Sequence, residues 1–325
     1  MTFVTSTLDT VVNLLKLYEN ILIVIHLSPD GDTIASSLAL TKALQVLNKN
    51  VVVVGKDPIP KPFEYLPGIE LIQKDFLQGD WEAIIVMDCG DLKRTGFMDR
   101  IKEFALRKKR LINIDHHPKN DLHKLANVNL FDTEASATGE IIYTIIKKLN
   151  VKIDKDIATN LLTAIYTDTG GFKHSNTTNN TLTIASDLLS CGARLKKITQ
   201  NITVNKNISS LKLWGLALSR IQKSPCQRII SSIITNKDIL ATNSTIEDLA
   251  GVVNMLASVP NAKASILFSE VADGQVRASL RTEDSKVDVS RIAAFYNGGG
   301  HKKAAGFTIP GKILEKQGKW SIILK

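Results

Sequence analysis

No apolar run in this 325-residue chain approaches the ~18 residues that a bilayer-spanning helix needs. Nor do residues 1–20 combine a basic start with a continuous apolar stretch, so no secretory leader is expected. Cysteine is scarce: Cys89, Cys191 and Cys226 are odd in number and widely scattered. That excludes a disulfide framework and predicts free thiols in the reducing cytoplasm. Internal repeats and low-complexity tracts are absent too. What remains, 44% hydrophobic and 22% charged, is the composition of a globular protein with length for two domains. The net charge of +9 suits a polyanionic partner, although a lysine-rich composition arises for other reasons as well. The basic runs 107–110 and 194–197 read as solvated helix ends.

Four runs, 21–25, 51–54, 83–87 and 111–114, are apolar without alternation and rich in β-branched residues. Such runs predict strands buried on both faces of a parallel sheet. Helical spacing separates and follows them: Ile34, Leu38 and Thr41; Ile141, Ile142, Ile145, Ile146 and Leu149; Ile157, Leu161 and Ile165. The fold predicted for residues 1–191 is therefore α/β, doubly wound, with a mostly parallel sheet. A polar helical connector is expected over 192–225. Residues 226–325 predict a smaller mixed α/β domain, with strands at 229–235, 264–271 and 275–281 and helices at 245–257 and 288–296. In the third of these strands Val276, Ala278 and Leu280 alternate with Arg277, Ser279 and Arg281, which places both arginines and the serine on one face.

Polar residues stand at the end of three buried runs. His26 follows the first, with Asp30 and Asp32 in the turn Ser28-Pro29-Asp30-Gly31-Asp32. Asp88 follows the third, and Asp115-His116-His117 the fourth. Ligands of open parallel sheets bind beyond the carboxyl ends of the strands, so these groups should meet at one edge. Asp168 joins them at a helix end, before Thr169-Gly170-Gly171. Singly, each has a structural reading: Asp30-Gly31 a turn, Asp32 a cap before Thr33, His26 a core histidine. Together, so many carboxylates repel one another unless cations intervene. Mixed oxygen and imidazole donors suit manganese, with zinc, iron, cobalt or magnesium as alternatives. Two ions ~3.5–4 Å apart generate a hydroxide and hold phosphate oxygens. Cys89 reads as a small buried side chain.

The ordered set His26-x3-Asp30-x-Asp32, Asp88, Asp115-His116-His117 and Asp168 resembles the four-motif signature of the DHH phosphoesterases. Gly298-Gly299-Gly300-His301 with Ala304-Ala305-Gly306-Phe307 resembles that of the DHHA1 domain. Within the family the likeness is to the bacterial nanoRNase/pAp phosphatase group, bifunctional oligoribonucleases and PAP phosphatases. The resemblance implies one ion on His26, Asp30 and Asp88 and a second on Asp32, Asp88, His116 and Asp168, with Asp88 bridging. It implies that Asp115 orients His116 and that His117 faces the scissile phosphate, stabilising charge or assisting the leaving oxygen. The nucleophile would be a water shared by both ions, without a covalent enzyme intermediate. In the second domain, it implies substrate binding by Gly298, Gly299, Gly300, His301, Ser279 and Arg281. Glycines let backbone N–H groups reach an anion, and an arginine fork suits phosphate. Arg277 shares that face.

The implied activity is manganese-dependent hydrolysis of short oligoribonucleotides (nanoRNA) to mononucleotides, and of pAp to AMP, in the cytoplasm. No membrane partner is implied, and a homodimer is left open. The alternatives are a linear dinucleotide (pApA) phosphodiesterase in cyclic di-AMP turnover, a RecJ-like single-strand exonuclease, a manganese pyrophosphatase and a non-catalytic nucleotide or RNA-binding module. Two positions depart from the family pattern. Ala35 stands where many relatives have glycine, and Lys173-His174 where an arginine-aromatic pair is usual, so an altered substrate fit is expected at the second.

Overall fold

Strands dominated by isoleucine, leucine and valine have little to offer water on either face, and the chain packs helices on both sides of them. The computed structural model describes residues 5–77, 79, 81–108, 110–118, 120–204, 207–224, 228–271, 274–316 and 319–324. It divides into two units, Met1–Val204 and Asn205–Lys325.

In the first unit the strands are β1 (Asn20–Val24), β2 (Asn50–Val54), β3 (Ile72–Gln73), β4 (Ala83–Met87), β5 (Leu111–Asp115) and β6 (Val128–Phe131). They form one parallel sheet in the order β3-β2-β1-β4-β5-β6. The helices are α1 (Thr5–Leu17), α2 (Gly31–Val46), α3 (Met98–Lys108), α4 (Leu122–Leu125), α5 (Thr138–Lys148), α6 (Lys155–Asp168), α7 (Asn179–Ser190) and α8 (Leu195–Thr199). Ile21, Ile23, Ile85 and Ile114 share a core with residues of α1, α2, α5 and α6, while Leu22, Val24, Ile84 and Val86 share the opposite one with Ile101 and Leu122. The chain lays β2 and β3 on one side of β1, then crosses to lay β4, β5 and β6 on the other. The switch point, where a doubly wound sheet opens a crevice, thus lies between β1 and β4.

The doubly wound architecture and the smaller mixed domain are as predicted, and the four apolar runs are β1, β2, β4 and β5. The periodicity did not disclose β3, which has two residues, or β6, an edge strand with only Leu130 buried. Residues 192–225 contain α8 and a π-helical turn, Gln200–Val204, in the first unit. They also contain α9 (Ile208–Ser219), whose Leu213 and Ala217 belong to the core of the second.

The second unit's strands are β7 (Gln222–Lys223), β8 (Ile229–Ile234), β9 (Ala264–Val271), β10 (Gln275–Arg281), β11 (Gly299–His301), β12 (Ala304–Lys316) and β13 (Lys319–Leu324). Their order is β11-β12-β10-β9-β8-β7, with β13 paired to β12; only β8 and β9 run parallel. The helices are α9, α10 (Asn236–Ala241), α11 (Val252–Ala257) and α12 (Val289–Phe295). The helix predicted over 245–257 is broken: a 3₁₀ turn, Ile246–Leu249, precedes α11. The break falls at Gly251, which has φ +95° and lies so close to the Trp214 ring that a Cβ would stand 3.0 Å from it. Among the described residues no helix is long and apolar enough to cross a membrane.

One ion pair ties α9 to α10. Arg220 donates to both carboxylate oxygens of Asp238, at 2.6 and 2.8 Å, with its guanidinium 4.4 Å above the Trp320 ring. Asp238 also accepts from the backbone N–H and hydroxyl of Thr235, closing a capping box. Burial opposes ionisation of Asp238, but the bonds from Arg220 and Thr235 outweigh it and hold the carboxyl below its usual range. The bonded carboxylate therefore stabilises the fold above the ordinary carboxylate pKa, and that contribution fades as pH falls. Asp238→Asn is expected to cost about 2–4 kcal/mol in urea unfolding at pH 7. The difference between wild type and variant should begin to shrink below about pH 4 and close only as pH falls through the lowered pKa of Asp238.

Candidate metal centre

His26 leaves β1 buried, with its Nδ1 2.8 Å from the Leu27 carbonyl oxygen and its Nε2 3.7 Å from Asp30 Oδ1. Asp30, and not Asp32, caps α2: its Oδ1 accepts from the Asp32 and Thr33 N–H groups, both at 3.2 Å. Asp32 lies inside the first turn, fully buried. There Ser36 Oγ and the N–H groups of Thr138 and Gly139, which open α5, donate to its carboxylate at 2.8, 2.6 and 3.0 Å. The Thr33 hydroxyl binds the Met87 carbonyl at 3.0 Å, pinning α2 to the end of β4. The next residue, Asp88, turns the chain with φ +52° and accepts from Thr138 Oγ1 at 3.0 Å. Asp168 ends α6 with its carbonyl facing His174 Nδ1 and Asn176 Nδ2. Gly170, Gly171 and Phe172 then follow with positive φ.

The imidazole of His116 closes the constellation. Its Nε2 stands 3.1 Å from Asp168 Oδ2, 3.6 Å from Asp88 Oδ1 and 3.9 Å from Asp32 Oδ2. Three sets of donor atoms each lie within 4.8 Å of one another: His26, Asp30 and Asp88; Asp32, His116 and Asp168; and Asp88, His116 and His117. Asp88 belongs to two of them. One expectation is corrected. Asp115 does not reach His116: its Oδ1 accepts from the His117 N–H at 3.0 Å and lies 2.7 Å from His117 Nδ1. The carbonyl of Ala135, 3.2 Å from His116 Nδ1, takes the orienting role instead. The two rings lie side by side, with centroids 4.6 Å apart, and the bend after β5 turns Nδ1 of His117, not that of His116, back onto Asp115.

The donor set fits divalent ions. Burial, followed by the charges of Asp88 and Asp168, drives the Asp32 carboxyl well above its usual range; Asp88 rises for similar reasons. Burial works against charge on His116 as well, but Asp168, Asp88 and Asp32 outweigh it and raise its pKa well above normal. A proton on Nε2 thus sits where nitrogen and carboxylate oxygens would share an ion. His117 is likewise lifted, to about 10: burial opposes the charge, and the Asp115 and Asp88 carboxylates overcome it. Cys89 is not a donor; it is buried, its Sγ donates to the Asp91 carbonyl, and burial pushes the thiol to about 12.

In the second unit Ser279 and Arg281 lie on one face of β10, as the alternation predicts. Across β12, Arg281 is level with Ala304 and His301, and Ser279 with Gly306 and Gly299. The His301 side chain lies outside the described residues. A Cβ on Gly298 would meet the Gly306 carbonyl oxygen at 2.2 Å, and one on Gly300 would meet Ala305 Cα at 2.5 Å, so packing excludes any other residue at both. Nothing lies within 4 Å of a Cβ on Gly299, so that glycine keeps exposed backbone open to a ligand. Arg281 is half-buried and hydrogen-bonds the Leu280 carbonyl; no carboxylate among the described residues is within 4 Å of its guanidinium.

The DHH family model for the N-terminal domain matches residues 20–165, and the DHHA1 domain model matches residues 231–319. The chain belongs to the DHH family of phosphoesterases. It is 29% identical over 312 residues to the bifunctional oligoribonuclease and PAP phosphatase NrnA of Thermus thermophilus, covering 94% of this chain and 89% of that one. It is 28% identical to the protein of that name from Bacillus subtilis, covering 91% of each. An exopolyphosphatase-related protein from Bacteroides fragilis has the same fold, with a TM-score of 0.83 and 27% identity over 98% of this chain and 94% of that one.

The DHH motifs are thus brought together, but the residues that aim them were not foreseen. Thr33, Thr138 and Gly139 act across long sequence separations and Ser36 across a single helical turn, and such small residues carry no periodicity that would single them out. Asp88→Asn keeps the side chain's shape, and asparagine tolerates positive φ. The variant is expected to melt no lower than wild type without metal, since a repelling charge is gone. Manganese is expected to raise the wild-type Tm by several degrees, and the variant should lose most of that rise, measured by calorimetry with and without chelator.

Proposed function

We propose that this DHH protein hydrolyses short oligoribonucleotides to mononucleotides, and pAp to AMP, in the cytoplasm with two divalent ions, manganese foremost. The observation that carries the proposal is the run of three donor sets linked through Asp88 and His116, in a chain collinear with the NrnA proteins over more than nine-tenths of its length. His26, Asp30 and Asp88 would hold one ion, and Asp32, Asp88, His116 and Asp168 the other. Bound there, the ions supply Lewis acidity to the phosphate and activate a water as nucleophile. The Leu27 and Ala135 carbonyls hold His26 and His116 with Nε2 toward the donors. His117, kept protonated and oriented by Asp115, donates to the leaving oxygen. No side chain is needed as a nucleophile.

Recognition falls to the DHHA1 domain, where Arg281, Ser279 and the open backbone at Gly299 take a phosphate. His301 is proposed to join them on the strength of the motif. Purified protein with manganese, given a ladder of labelled RNAs together with pAp and pApA, should release mononucleotides from RNAs of about two to five residues and fall off steeply with length. Equal cleavage of long strands would falsify the short-substrate assignment, and preference for pApA over both other substrates would favour the dinucleotide phosphodiesterase. Arg281→Ala should raise KM about tenfold or more while leaving manganese affinity unchanged; an unaltered KM removes Arg281 from the site.

A further inference from the structure

We infer that Arg94 is a phosphate-binding residue beside the metal centre. The inference rests on the function proposed above.

Arg94 sits in the 3₁₀ turn Lys93–Thr95, after β4. Its backbone is fixed at both ends: its N–H donates to Asp91 Oδ1 at 3.0 Å, and its carbonyl accepts from the Leu27 N–H at 2.6 Å. The half-buried side chain spans the switch point, with Nη2 3.1 Å from His26 Nδ1 and Nη1 3.7 Å from where a Cβ on Gly90 would stand. No carboxylate among the described residues lies within 4 Å of its guanidinium; Asp91, three residues earlier, meets the Arg94 backbone N–H. An arginine is always charged, and a partly buried one without an anion leaves a demand for one.

His26 is no settled partner for that guanidinium: its Nδ1 lies 2.8 Å from the Leu27 carbonyl and 3.1 Å from Arg94, and one ring nitrogen cannot donate to the first and accept from the second at once.

The test uses the full chain, with Arg94→Gln and Arg94→Lys. Calorimetric titration with manganese, and with 5′-AMP in the presence of manganese, gives both readouts without turnover. Arg94→Gln should leave manganese affinity within about threefold and weaken AMP binding by about 10- to 100-fold, with Arg94→Lys intermediate. The wild-type protein should bind AMP far more weakly without manganese than with it. Unchanged AMP affinity in Arg94→Gln overturns the inference. So does a loss of manganese affinity in that variant, which would make Arg94 a positioning group for His26. Arg94-dependent AMP binding in a protein that cleaves no short RNA would support the inference and refute the proposed substrate.

Discussion

Carboxylates that repel one another, buried at the carboxyl ends of parallel strands, are the constraint around which the first unit is built. Asp32, Asp88 and Asp168 all approach His116 Nε2 within 4 Å, and two of the three are essentially inaccessible to solvent. Such a cluster is unfavourable by itself and becomes favourable only with positive charge at its centre. The fold secures the geometry with neutral donors. The opening N–H groups of α5 hold Asp32, those of α2 hold Asp30, and the Thr138 hydroxyl holds Asp88. Helix N-termini suit this task, since their unsatisfied N–H groups fix a carboxylate without cancelling its charge.

The same logic governs the proposed recognition elements. Arg100, Arg107, Arg194 and Arg220 each face a carboxylate within 3 Å. Arg94 and Arg281 face none within 4 Å among the described residues, although both are half-buried. A guanidinium withheld from acids of its own chain is available to a phosphate. The glycines divide in a comparable way. Gly298 and Gly300 are required by close backbone packing, and only Gly299 leaves open backbone with no packing reason to be glycine.

Much of this could be read from residue order. Unbroken apolar runs can only be doubly buried strands, so β1, β2, β4 and β5 were legible, and the residues leaving the strands of a parallel sheet all emerge at one edge. Period-two alternation likewise placed Arg277, Ser279 and Arg281 on one face of β10. The nearness of the candidate donors His26, Asp30, Asp32, Asp88, His116 and Asp168 was legible for the same reason: they follow strands or end a helix, where topology alone brings them near.

Orientation was not legible, because it depends on contacts between residues far apart in the chain. Whether Asp115 serves His116 or His117 turns on how the chain bends after β5, and the partner of His116, Ala135, contributes only a backbone carbonyl that every residue type possesses. The hold of Thr138 and Gly139 on Asp32 spans more than a hundred residues. The meeting of Arg94 with His26 spans 68. The sequence by itself determined which chemistry is present and at which edge of the sheet. Tertiary structure decided where each donor points, since hydrogen-bond direction is set by packing across helices and not by spacing along the chain.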